Sequence, residues 1–139
     1  MNIAIFTDSY TPYTSGVVRS IQTVIDELIP LGHRIYVFAP AYRGGNGYAA
    51  GRSGGEDGSP VVFRFRSLKA PNYSSYSLPI PYSVGISRLM RELEIDVVHS
   101  HSPFLLGRLG ASVAARNGIP LVFTHHTMYH EYVHYSPLA

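Results

Sequence analysis

The stretch MNIAIFTDSYTPYTSGVV, residues 1–18, decides how this chain folds. Ile3, Ala4, Ile5 and Phe6 form an apolar run that reads as a strand, and a short polar loop follows. The loop closes on Gly16, where helical spacing of apolar residues begins. A helix start leaves backbone N–H groups without internal partners at the partly positive end of the helix dipole. A glycine there lets a phosphate or a sugar come close to the backbone. It equally serves to shape a strand-to-helix turn, and the strand–glycine–helix pattern alone fits both readings.

Outward from this stretch, strand and helix alternate. Val17, Val18, Ile21, Val24, Ile25, Leu28 and Ile29 predict a helix over 17–30, ended by Pro30 and Gly32, and residues 34–39 read as a second strand. AYRGGNGYAAGRSGGEDGSP, residues 41–60, reads as a mobile surface loop. No helix follows its glycines, so they are no dinucleotide fingerprint. Residues 61–66 alternate as a third strand, 70–82 (APNYSSYSLPIPY) read as a loop, and 83–93 as a helix. A fourth strand over 95–100, a helix over 104–117 ending at Gly118, and a fifth strand over 121–124 complete the pattern. Strands one, four and five are almost wholly apolar, as central strands of a parallel sheet are. The expected fold class is therefore α/β, a doubly wound, Rossmann-like parallel sheet in the order 3-2-1-4-5. Ligands of such sheets lie beyond the carboxyl ends of the strands, here Asp8 to Gly16, Ala39 to Tyr42, His99 to Pro103, and His125 onward.

Composition narrows the function classes. A chain of 139 residues with 45% hydrophobic and 14% charged residues builds one globular domain and is not disordered. No apolar run reaches membrane-span length, and the N-terminus enters a strand with no basic leader. With no cysteine, disulfides and thiolate metal sites are excluded. A cytosolic protein is expected. Ten of the eleven basic residues are arginine, which suits phosphate contact, but a net charge of +2 without a recognition signature argues against nucleic acid. Arg64, Arg66 and Lys69 form either a solvated strand face or a contact for anionic lipid headgroups.

Histidines and tyrosines crowd the strand ends. His99 and His101 share a face of an alternating strand, but two imidazoles lack a third metal ligand, and hydrogen-bonding roles are expected instead. In Thr124-His125-His126-Thr127, a histidine reaches the crevice beside Gly16, to hold a sugar hydroxyl or to pack at a strand terminus. His130-Glu131-Tyr132-Val133-His134 is a literal zinc-hydrolase string. The usual third ligand of that motif lies downstream, whereas five residues remain here and Pro137 limits any helix. Tyr73, Tyr76 and Tyr82 in one loop, and Tyr129, Tyr132 and Tyr135 in the tail, offer rings for a sugar, a lipid headgroup or a partner domain.

These pieces occur together in one family. IFTDSYTPYTSGVVRSIQTVIDELIPLGHRIYVFAP strongly resembles the opening of GT-B glycosyltransferases of the glycosyltransferase 4 type, through Asp8, Tyr10, Pro12, Gly16, Gly32-His33 and Ala39-Pro40. IDVVHSHSPFLLGRLG matches the family's D-V-x-H-x-H-x-P segment, and PLVFTHHTMYHEYVHY its strand ending in His-Thr. The Tyr-rich close looks most like bacterial enzymes that glucosylate diacylglycerol.

The resemblance implies two Rossmann-like domains with the active site between them, residues 1–139 being the incomplete N-terminal, acceptor-side domain without the C-terminal donor domain. It places Gly16 against the donor diphosphate and sugar, with Ser15 where the family has a second glycine, and it makes His126 the catalytic sugar contact. Asp8, Tyr10, His101, Thr127 and Tyr129 fall on the acceptor and sugar side, with Pro103 at the same rim. The implied activity is retaining transfer of a hexose from a nucleotide sugar, UDP-glucose, to a membrane glycerolipid such as diacylglycerol. It implies no cofactor and no metal, a cytoplasmic location with peripheral contact at the inner membrane face, and an isolated chain that does not turn over. The alternatives are a zinc-dependent hydrolase using His130, Glu131 and His134, and a non-catalytic binding domain.

Overall fold

Alternating apolar residues along β1 (Asn2–Phe6) send Ile3 and Ile5 to one side of a sheet and Ala4 and Phe6 to the other. The computed structural model, which describes residues 1–42, 49–70, 73–81 and 85–126, builds the molecule around this strand. Among those residues follow α1 (Gly16–Leu28), β2 (Arg34–Pro40), β3 (Gly51–Gly54), β4 (Val61–Phe65), β5 (Ser67–Ala70), β6 (Tyr73–Pro79), α2 (Ile86–Glu92), β7 (Val97–Ser100), α3 (Leu105–Asn117) and β8 (Leu121–Phe123). The main sheet runs β3-β4-β2-β1-β7-β8. From β4 to β8 every pairing is parallel, the doubly wound order expected from the sequence.

Each face of the sheet buries its own core. Ile3, Ile5, Ile35, Val37 and Val62 pack against Val18, Ile21 and Ile25 of α1. Phe6, Phe38, Phe65 and Val98 pack against Ile86 and Met90 of α2 and Leu106, Val113 and Ala114 of α3. Helices on both faces explain why β1 and β2 are apolar almost throughout. Ser15 caps α1 by accepting a hydrogen bond from the Val18 N–H at 3.2 Å. On the opposite face α3 lies against β1 and β7, and two glycines permit it. A Cβ on Gly107 would stand 1.7 Å from the Ser102 carbonyl oxygen, and one on Gly110 would stand 2.6 Å from the Phe6 ring.

Three expectations are corrected. Within 41–60, residues Gly51–Gly54 form the antiparallel edge strand β3 and Glu56–Gly58 a 3-10 turn, while 43–48 lie outside the described residues. All four residues of β3 are exposed, so this strand exists through backbone bonding to the open edge of β4 and leaves no apolar pattern to read. Much of the expected 70–82 loop is β6, paired antiparallel with β5. Its polarity is misleading because serines are buried there. The Ser67 hydroxyl donates to the Phe65 carbonyl at 3.0 Å and accepts from the Ala41 N–H at 2.9 Å, and Ser77 is equally hidden. The helix expected from residue 83 begins at Ile86, because Gly85 adopts φ 82°, outside any right-handed helix.

Candidate functional site

The carboxyl ends of β1, β7 and β8 lie side by side, and their side chains converge there. Alternation along β7 puts His99 and, one step past the strand, His101 on the α1 face, with ring centroids 4.0 Å apart. The His101 Nδ1 and His126 Nε2 share a hydrogen bond at 2.9 Å, their rings nearly parallel at 5.2 Å. His99 Nε2 pairs with the Thr124 hydroxyl at 2.6 Å. His101 is only 2% exposed, and its Nε2 is buried with no hydrogen-bond partner among the described residues. Burial, then the neighbouring His99 and His126, push the His101 pKa down to about 3. Burial lowers His99 and His126 as well. Three imidazoles thus stand uncharged at neutral pH.

His101 lines a cavity of about 300 Å³ together with Asp8, Tyr13, Ser15, Val17 and Phe104. Gly16 sits between two lining residues. A Cβ at Gly16 would meet nothing within 4 Å, and its φ lies outside the left-handed region. Neither packing nor backbone geometry therefore requires glycine at this position.

Asp8 has both oxygens engaged across the sheet end. Oδ2 accepts from the Ser102 hydroxyl at 2.7 Å and Oδ1 from the Leu106 N–H at 2.7 Å, so Asp8 caps the first turn of α3. Burial raises its pKa, and the two hydrogen bonds work against that rise.

A sequence pattern defining Glycosyltransferase Family 4 matches residues 14–139. The chain belongs to Glycosyltransferase Family 4. It is 36% identical over 136 residues to an alpha-monoglucosyldiacylglycerol synthase of Acholeplasma laidlawii, covering 97% of this chain and 32% of that protein. It is 28% identical over 142 residues to a GDP-mannose-dependent alpha-mannosyltransferase of Corynebacterium glutamicum, covering 100% of this chain and 33% of the other. In fold it is similar to a sucrose-phosphate synthase from Thermosynechococcus elongatus, with a TM-score of 0.63 at 12% identity, over 98% of this chain and 36% of that one. The chain thus spans about a third of the length of these relatives.

Within this Family 4 domain, Asp8, Ser15 and His101 line one cavity, Gly16 lies in the chain between the lining residues Ser15 and Val17, and His126 joins through His101. Tyr10 does not line that cavity. Its ring is buried in the α1-side core, and its N–H donates to the Tyr42 hydroxyl at 3.1 Å. Thr127, Tyr129, His130, Glu131 and His134 lie outside the described residues, as do Tyr82, Tyr132 and Tyr135. Among the described residues no group of three or more His, Asp or Glu is placed to hold a metal ion, and no helix is long and apolar enough to cross a membrane.

A second group stands at the same rim, around the Arg64 that the sequence places on a solvated face or against anionic headgroups, and its tyrosine partners were not legible there. The Arg64 guanidinium stands 5.3 Å from the Tyr10 ring and 5.9 Å from the Tyr42 ring, and Tyr42 stacks on Tyr13 at 6.3 Å. A solvated strand face does not describe Arg64, which is half-buried. The signal available was its two-residue spacing from Val62, which points both to the α1 face.

Proposed function

We propose that this chain forms the acceptor-side wall of a retaining glycosyltransferase cleft that moves a hexose from a nucleotide sugar, UDP-glucose, to a membrane glycerolipid. The observation that carries the reading is Gly16, a glycine with no structural need to be one, at a helix N-terminus beside the cavity that Asp8, Ser15 and His101 line. There the backbone N–H groups face a donor diphosphate, and the missing side chain leaves room for it. His126 holds a hydroxyl of the transferred sugar. An uncharged imidazole suits this task, because positive charge develops at the anomeric carbon and an imidazolium nearby would oppose it. Asp8 positions rather than binds: it ties the loop after β1 to α3 and so fixes the cavity wall. Thr127 and Tyr129 extend the sugar side. A second domain supplies most of the donor site, and the enzyme works peripherally at the cytoplasmic membrane face. The relatives named above support transfer to diacylglycerol and, more distantly, transfer of mannose from GDP-mannose.

The test is transfer of labelled glucose from UDP-glucose to diacylglycerol in mixed vesicles by the enzyme containing this chain, with GDP-mannose in parallel. Glucolipid formation that collapses in a Gly16→Ala variant of unchanged stability is expected. Full activity of that variant, or transfer from GDP-mannose alone, overturns the reading.

A further inference from the structure

Arg64 carries a charge among neutral neighbours. Its Nη1 donates to the Pro40 carbonyl at 3.1 Å and its Nη2 to the Thr11 hydroxyl at 3.4 Å. Among the described residues no carboxylate lies within 4.0 Å of it, the one ion pair there being Arg88–Glu92. Residues 43–48, 71–72 and 82–84 contain no Asp or Glu, which leaves Glu131 as the only acidic side chain outside the described set. A half-buried cation is normally matched by an anion, because neutral groups restore only part of its lost hydration. Burial accordingly lowers the Arg64 pKa.

Among the described residues the guanidinium also has donors to spare. Of its five N–H groups, two make the bonds named above. Tying the Thr11 loop to β2 takes no more than those two, and a neutral amide could supply them. A planar fork with free N–H groups matches the oxygens of a phosphate. Its position connects it to the proposed site, since Arg64 stacks on Tyr42, Tyr42 on Tyr13, and Tyr13 lines the cavity beside Gly16. The cation thus lies one tyrosine pair away from the cavity, on the same face of the sheet.

We infer that Arg64, framed by Tyr10 and Tyr42, is a subsite for a phosphate-type oxyanion on the acceptor side of the cleft. The inference rests on the acceptor-side reading of this chain, and it adds that the molecule or surface docking there carries an anionic phosphate group. Two sources share that chemistry, a soluble phosphate ester and the headgroup of an anionic glycerophospholipid.

The experiment follows the Arg64 Nε–H resonance of the labelled chain during titration with inorganic phosphate and with glycerol phosphate, against chloride at equal ionic strength. In parallel, flotation compares vesicles containing phosphatidylglycerol with vesicles of phosphatidylcholine alone, for the native chain and for Arg64→Gln. A shift with the soluble phosphates, weakened about tenfold to a hundredfold in Arg64→Gln, supports a soluble ligand. Flotation with the anionic vesicles only, lost in Arg64→Gln, supports the headgroup. Should Arg64→Gln fail to fold, the native resonance decides, read with the phosphates and with phosphatidylglycerol-containing bicelles. A resonance indifferent to all of these, or a folded Arg64→Gln that binds like the native chain, overturns the inference. No readout requires sugar transfer, so an inactive enzyme and an absent anion site are told apart.

Discussion

His101 Nδ1 and His126 Nε2 meet at 2.9 Å, a bond that ties the end of β7 to the segment after β8 and needs one donor and one acceptor. Two imidazoles satisfy it only while at least one is neutral, since two imidazoliums would both donate. Here His101 resists protonation down to about 3, whereas its ordinary value is 6.5. Between those values the unfolded chain takes up a proton that the folded chain refuses, so stability falls as pH falls. The loss reaches up to about 1.4 kcal/mol per pH unit for such a histidine. His99 and His126 add to it in the same sense. Asp8, whose pKa is raised, opposes it just above 3.8. Urea midpoints of the native chain should decline below pH 6.5, and His101→Asn, which keeps a donor at the δ position, should flatten the decline. Midpoints that stay level in the native chain would show that these rings do not stand neutral.

Gly16 offers a cleaner separation of fold from function. Alanine fits its backbone and its surroundings, so Gly16→Ala should leave stability unchanged or raise it by about 0.4–1 kcal/mol, through fewer conformations in the unfolded chain. Transfer should fall at least about tenfold if the methyl group occupies space meant for the donor. A thermal melt and a rate assay on the same preparation check both halves.

Much of this was legible in the sequence, for a physical reason. Strands buried on both faces must be apolar throughout, and that requirement left the runs Ile3–Phe6 and Val97–Val98 visible without any tertiary knowledge. β3 was invisible because Gly-Arg-Ser-Gly pairs through its backbone and buries nothing. The hairpin of β5 and β6 was invisible because Ser67 and Ser77 are buried in it. At the site, the shared face of His99 and His101 follows from strand alternation alone. The tasks of Asp8 and Arg64 do not, since their partners stand 94, 98 and 53 residues away along the chain. Local pattern finds strand ends, whereas only the closed sheet shows which side chains meet across them.

Asp8→Ala should be costly. It removes the acceptor for the Leu106 N–H at the start of α3 and strands the buried Ser102 hydroxyl. Loss of a cap together with an unsatisfied buried group destabilises by about 2–4 kcal/mol in all. Asp8→Asn keeps an oxygen for Leu106 and should cost less than half as much. Denaturant titrations of the two variants give the ordering, and equal losses would remove Asp8 as the cap of α3.

Gly110 tests the packing of α3 on the sheet. A methyl group there would stand 2.6 Å from the buried Phe6 ring, and Phe6 is itself stacked on Phe38 at 4.5 Å. Neither ring can yield freely, so Gly110→Ala should destabilise by about 1–3 kcal/mol despite alanine's better helix propensity. The contrast with Gly16→Ala, the same substitution in the same chain, is read from paired melts. A stable Gly110→Ala would mean that α3 rides further from β1 than described.

His126 holds both a structural and a proposed chemical role, and two substitutions separate them. His126→Ala leaves the buried His101 ring without its Nδ1 partner, which should cost about 1–3 kcal/mol in stability as well as activity. His126→Gln places an amide where Nε2 stood, so it can pair with His101 Nδ1 and recover most of that stability. It does not restore the imidazole that is proposed to hold the sugar. If that ring holds the sugar as charge develops, the glutamine enzyme should be folded yet slower by about a hundredfold in kcat, with KM for the acceptor little changed. Steady-state kinetics beside a melt of each variant gives the answer. A glutamine enzyme with native kcat would confine His126 to its bond with His101 and move the sugar contact elsewhere on the rim.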